Sequence, residues 1–82
     1  MCKPYSEKAC RDAVQSLGLE LGGKDYDFAG DYSIKGCYAY NDGTYDGIAY
    51  YGRGGTKAQM KNSLDDPKYR PDGHDCSPEG KV

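Results

Sequence analysis

Eighty-two residues, 37% hydrophobic and 29% charged, suffice for one domain with a small core, and at this length burial alone does little more than offset the entropy of ordering the chain. A formal net charge of −2 disfavours nucleic acid as a partner, and no apolar run approaches a membrane span, so no membrane insertion is expected. Four cysteines in so short, polar and glycine-rich a chain read as two disulfides, and hence as a protein of an oxidising, extracellular compartment. Zinc fits them poorly, because Cys2, Cys10, Cys37 and Cys76 contain no C-x-x-C pair and the one histidine, His74, lies only two residues from Cys76.

Residues 1–5 read as an arm, since Pro4 disfavours helix before it. The secretory reading expects that a signal peptide preceding this arm has been removed. Ser6 is a favourable N-cap, and Glu7 puts a negative charge in the first turn, where the helix dipole welcomes it. Cys10, Ala13, Val14 and Leu17 recur at helical spacing, with Arg11, Asp12, Gln15 and Ser16 on the other side. An amphipathic helix is therefore predicted over about 7–17, ended by Gly18, with Leu19 placed for the hydrophobic contact that commonly follows such a glycine. Leu19 to Leu21 is a short extended piece closed by Gly22 and Gly23. Residues 24–31 form a polar loop that drops Phe28, the one phenylalanine, into the core.

The stretch from Gly36 to Thr56 organises the rest. A first strand is predicted over about 32–40, with Cys37 and Ala39 on one face and Tyr38 and Tyr40 on the other. Asn41-Asp42-Gly43-Thr44 is a hairpin turn signal, and a second strand follows over about 45–52. On that strand Ile48 and Tyr50 share one face and Ala49 and Tyr51 the other, and Gly47 is read as marking a bulge. Gly52 to Gly55 is a turn. Thr56 and Gln59 then form a capping box that opens a short helix over about 57–64, where Met60 and Leu64 lie one turn apart. Residues 65–82, with Pro67, Pro71 and Pro78, read as an irregular tail anchored at Cys76. The fold class is thus α+β: one helix on a two- to three-stranded antiparallel sheet, plus a short second helix, stapled by disulfides.

Three disulfide pairings are possible. Cys10 on the buried helix stripe and Cys37 on the small-residue strand face make a sensible staple, which leaves Cys2 with Cys76. Cys2–Cys10 with Cys37–Cys76 is the next alternative.

The helix pattern C-x-x-A-x-x-x-L-G-L (Cys10, Ala13, Leu17, Gly18, Leu19), then KGCYAY (Lys35 to Tyr40) and AYYG-x-GG (Ala49 to Gly55), resembles a family of short cysteine-containing modules in predicted secreted proteins of microalgae. The likeness covers roughly Ser6 to Cys76. It implies an extracellular domain and a Cys10–Cys37 pair, and it carries no activity, ligand or catalytic residue with it.

Of the ten aromatic residues, eight lie between Tyr26 and Tyr51. Cross-strand tyrosine pairs that only stabilise the sheet are the plain explanation. The functional one is an aromatic platform of Tyr38, Tyr40, Tyr45, Tyr50 and Tyr51, with Arg53 and Thr56 beside it, because tyrosine supplies area, rigidity and a polar handle together. The glycine-rich turn running into Lys57 could cradle an anion, although it lacks P-loop order. The acids Asp25, Asp27, Asp31, Asp42 and Asp46 could gather calcium, although the EF-hand spacing is not met. No nucleophile–base pair or carboxylate cleft emerges, so no catalysis, cofactor or metal is expected. Charge is uneven: residues 24–46 hold five Asp and two Lys, residues 53–70 five Lys/Arg and two Asp. Those halves could meet head to tail in self-association. The resulting expectation is a non-catalytic secreted module that binds a protein or a cell-surface or matrix glycan through its tyrosines. The alternatives are an assembly module of an extracellular matrix, and a small secreted inhibitor or effector.

Overall fold

The structure, a computed structural model, describes residues 6–53 and 67–72. Helix α1 spans Glu7–Ser16. Its start is set by Ser6, whose Oγ accepts from the Ala9 N–H at 3.2 Å. Glu7–Arg11 and Lys8–Asp12 are ion-paired one turn apart on its outer side. Its end is a Schellman motif: the Leu19 N–H bonds Val14 O at 3.0 Å and the Gly18 N–H bonds Gln15 O at 3.1 Å, with Gly18 at φ +73. Leu17, expected on the buried stripe, is the C-cap instead and is 58% exposed, because the helix finishes before its side chain can turn inward. Cys10 and Val14 carry the burial.

Strands β1 (Glu20–Leu21), β2 (Ala29–Gly30), β3 (Gly36–Tyr40), β4 (Ile48–Gly52) and β5 (Lys68–Tyr69) form one sheet. Its centre is the antiparallel β3–β4 hairpin, with Cys37 opposite Tyr51, Tyr38 opposite Tyr50 and Ala39 opposite Ala49. The sheet is mixed rather than wholly antiparallel. Along the far edge of β4, β1 and β2 both run parallel to it, pairing Leu21 with Ala49 and Ala29 with Tyr51. The two short pieces behave as one strand interrupted by a looped excursion at 22–28. The excursion closes on itself through mutual Gly23–Tyr26 backbone bonds and returns with the Tyr51 N–H on Phe28 O at 2.6 Å.

Both hairpin strands are shorter than expected. β3 starts at Gly36 rather than Tyr32, and β4 at Ile48 rather than Tyr45. Residues 45–47 are spent on the turn: the Ile48 N–H bonds Tyr45 O at 3.0 Å, and the Gly47 N–H bonds Tyr40 O at 2.9 Å. The tail also departs from irregularity. β5 pairs with β3, and Arg70 Nη1 donates to Lys35 O at 2.6 Å and Cys37 O at 2.9 Å, tying residues 67–72 to the outer edge of β3.

The pleat divides the sheet into two apolar layers. Against α1 lie Cys37, Ala39, Ala49 and Tyr51, packed with Cys10, Val14 and Phe28. On the other face lie Tyr38, Ile48 and Tyr50, flanked by Tyr32, Ile34, Tyr40 and Tyr45. Small residues at positions 37, 39 and 49 let the helix approach closely enough for the Cys10–Cys37 disulfide, whose Cα atoms are 5.3 Å apart. With 27 residues of sequence separation, that closure restricts the unfolded chain by about 3.5 kcal/mol in the chain-entropy account. The Cys2–Cys76 pairing and the second helix over 57–64 fall outside the described residues.

Candidate functional site

The face of the sheet turned away from α1 carries the candidate site. Alternation along β3 places Tyr38 and Tyr40 there, and alternation along β4 places Tyr50. The hairpin turn folds Tyr45 back over the same face, and the loops flanking β2 bring Tyr26 and Tyr32 to it. Six tyrosine rings thereby line one open concavity of about 150 Å³.

Within this nest the residues differ in depth. Tyr38 and Tyr50 form the floor, only 5% and 3% exposed, whereas Tyr26 stands 53% exposed on the rim. Tyr32, Tyr40 and Tyr45 are half-buried walls. Most neighbouring rings meet at steep angles: Tyr32–Tyr38 at 89°, Tyr40–Tyr50 at 86° and Tyr45–Tyr50 at 79°. Edge-to-face contacts of this kind are favourable in themselves, since they set the positive edge of one ring against the negative face of another. They also leave a hollow where parallel stacking would fill one.

Two hydroxyls bond backbone carbonyls and hold the nest in place. Tyr50 donates to Gly23 O at 2.7 Å, pinning the excursion between β1 and β2 to the sheet. Tyr32 donates to Asp27 O and ties the other arm of the same excursion. Burial pushes the Tyr50 phenol up to about 12, helped by Tyr45, Tyr32, Tyr40 and Glu20. Burial raises Tyr38 as well, with Tyr40, Tyr32 and Tyr50 adding to it and Arg70 opposing. Tyr40 is raised by burial and then by Tyr45, and Tyr32 by burial and then by Asp27 and Tyr26. These four are neutral phenols at neutral pH.

The expected set is therefore brought together in part. Tyr38, Tyr40, Tyr45 and Tyr50 share the concavity. Tyr51 does not: it sits one residue on from Tyr50, so it faces α1 and belongs to the helix-side core at 7% exposure. Arg53 is also remote from the rings, where its Nε and Nη2 bond Glu7 Oε1 at 3.2 and 3.1 Å. Thr56 and the anion-cradle turn beyond it lie outside the described residues. Tyr26 and Tyr32 were missing from the expected set, although the crowding of aromatics between positions 26 and 51 pointed to them. The surface is also a pocket with a buried floor rather than a flat platform. Among the described residues no three His, Cys, Asp or Glu side chains gather as an ion site, so the calcium grouping does not form there. No helix among them is long and apolar enough to cross a membrane.

Comparison with known proteins returned no matching family model, no matching curated protein and no matching solved structure.

Proposed function

We propose that this chain is a non-catalytic secreted module that grips one protruding group of a protein or glycan partner in its tyrosine pocket. The single observation that carries the reading is the open concavity of about 150 Å³ walled by six tyrosines. A cavity of about that size admits a benzene-sized molecule, while sites for whole drug-sized ligands start at about 300 Å³. The pocket therefore suits one ring or one branched head belonging to something larger. The floor rings Tyr38 and Tyr50 are buried and packed on each other, so a partner group entering the hollow orders few side chains there. The Cys10–Cys37 disulfide supports the extracellular setting, since such bonds persist in oxidising compartments.

The test is a glycan array and a fragment screen read by NMR, run on the intact chain and on Tyr26→Ala and Tyr45→Ala. These two rim positions are chosen because the buried Tyr38 and Tyr50 hold the fold. Hits that shift the six tyrosine rings and are lost in both variants are the expected result. Hits untouched by both variants, or no hit on that face, would overturn the reading. Sedimentation at rising concentration accompanies it: a dimer that Tyr26→Ala dissolves would transfer the pocket to self-assembly.

A further inference from the structure

Resting on the pocket as the gripping site, we infer that the group it takes is a quaternary ammonium, carried as a trimethylated lysine side chain of a protein partner. The geometry comes first. Most neighbouring rings meet at 65–89° around the hollow, with Tyr38–Tyr50 and Tyr40–Tyr45 tilted at 33° and 41°, and the Tyr26–Tyr45 and Tyr26–Tyr32 contacts at 65° and 74° extend this cage to the rim. Aromatic walls present negative π-density, which attracts a cation that has shed its water. The molecule already shows this attraction at the outer edge, where Lys68 Nζ lies 5.9 Å from the centroid of the Tyr40 ring.

The surrounding charge points the same way. Asp27 bears electrostatically on Tyr32 in the wall and Glu20 on Tyr50 in the floor, against Arg70 acting on Tyr38 and Lys68 lying over Tyr40. The segment from residue 24 to 46, which supplies five of the six rings, holds five Asp against two Lys. A neutral sugar gains nothing from that field, and a phosphate is repelled by it. A primary ammonium is drawn to it but stays strongly hydrated and wants acceptors for three N–H groups. A trimethylammonium has no N–H to satisfy, and its methyl groups match an aromatic lining. A lysine side chain delivers it on a long stem and carries no phosphate beside it, unlike a phosphocholine head.

The experiment is an NMR titration of the intact chain with choline, its neutral carbon isostere dimethylbutanol, trimethyllysine, phosphocholine, phenol and methyl glucoside. Choline and trimethyllysine are expected to shift the six tyrosine rings and to bind about tenfold more tightly than the isostere. Phosphocholine is expected to trail them. Tyr26→Leu, which keeps an apolar side chain but removes a π face, should weaken choline several-fold and the isostere distinctly less. Glu20→Gln and Asp27→Asn should each weaken choline by about twofold, and Lys68→Gln should strengthen it by about as much. If the isostere, phenol or methyl glucoside binds as tightly as choline, the cation inference falls and the gripping pocket stands. If phosphocholine matches trimethyllysine, the lysine carrier is wrong. If no probe touches the rings, the cation inference falls and the array and fragment screen decide the pocket.

Discussion

Tyr38 and Tyr50 stand directly opposite each other across β3 and β4, with ring centroids 5.7 Å apart and planes tilted by 33°. The pair is the floor of the pocket and the core of the second apolar layer at once. Removing the Tyr50 ring should therefore act on stability before it acts on binding. Tyr50→Ala is expected to cost about 3–5 kcal/mol, the usual range for deleting a buried aromatic side chain. Tyr50→Phe keeps the ring and loses only the bond to Gly23 O, at about 1 kcal/mol. Urea unfolding of both variants checks the order. A Tyr50→Ala variant as stable as the parent would mean that the second layer is not packed.

The first layer depends on the staple between α1 and β3. Cys10 and Cys37 are both fully buried, so replacing the pair removes chain restriction without exposing a new polar group. The double variant Cys10→Ala with Cys37→Ala is expected to lose about 3 kcal/mol, within the range measured for disulfides. In a domain of this size that corresponds to a melting temperature lower by about 12 °C or more. Calorimetry measures it directly. A change below 1 kcal/mol would show that the helix is held by packing alone.

This much of the architecture was legible in the residues. Ser6 and Gly18 bracket the helix because caps are local chemistry, written within a few positions of each other. The two-residue period of Cys37-Tyr38-Ala39-Tyr40 assigned each side chain to its layer, since a strand offers only two faces. The parallel docking of β1 and β2 on β4 was not legible. Each contributes two residues, too few for periodicity, and their partners lie more than twenty positions away. The same limit hid Tyr26 and Tyr32, which reach the pocket from loops. Tyr51 was misplaced for a different reason: its composition matched the platform while its parity put it against the helix, and parity won.

Gly52 tests how tightly the end of β4 is crossed. A β-carbon there would run into the carbonyl oxygen of Ile34, a backbone atom that cannot swing aside. Gly52→Ala is therefore expected to destabilise by about 2–3 kcal/mol or more through forced backbone movement. Gly43→Ala, in the hairpin turn, is the contrast. It meets nothing within 4 Å and bears only the left-handed backbone cost at φ +81, about 1 kcal/mol. Equal destabilisation by the two would contradict the close approach of Ile34 to β4.

Alkaline titration examines the nest as a whole. An unfolded tyrosine ionises near 10.0, while in the folded chain burial holds Tyr50 up to about 12 and raises Tyr32, Tyr38, Tyr40 and Tyr51 above the ordinary value. Between those limits the folded state binds more protons than the unfolded one. The slope of unfolding free energy with pH is then negative, so the contribution of these phenols is complete below pH 10 and is lost as pH climbs through their raised values, for Tyr50 about 12. Two measurements follow. Tyrosinate absorbance should rise later in the native chain than in the chain unfolded in guanidinium, the Tyr50 part of it only near pH 12. The urea midpoint should stay level in this respect up to pH 10 and then fall steeply. Tyr38→Phe removes one of the raised phenols while keeping its ring in the floor, and it should make that alkaline fall shallower. Superimposed native and unfolded titration curves would mean that water reaches Tyr38 and Tyr50, and the buried floor of the pocket would have to be abandoned.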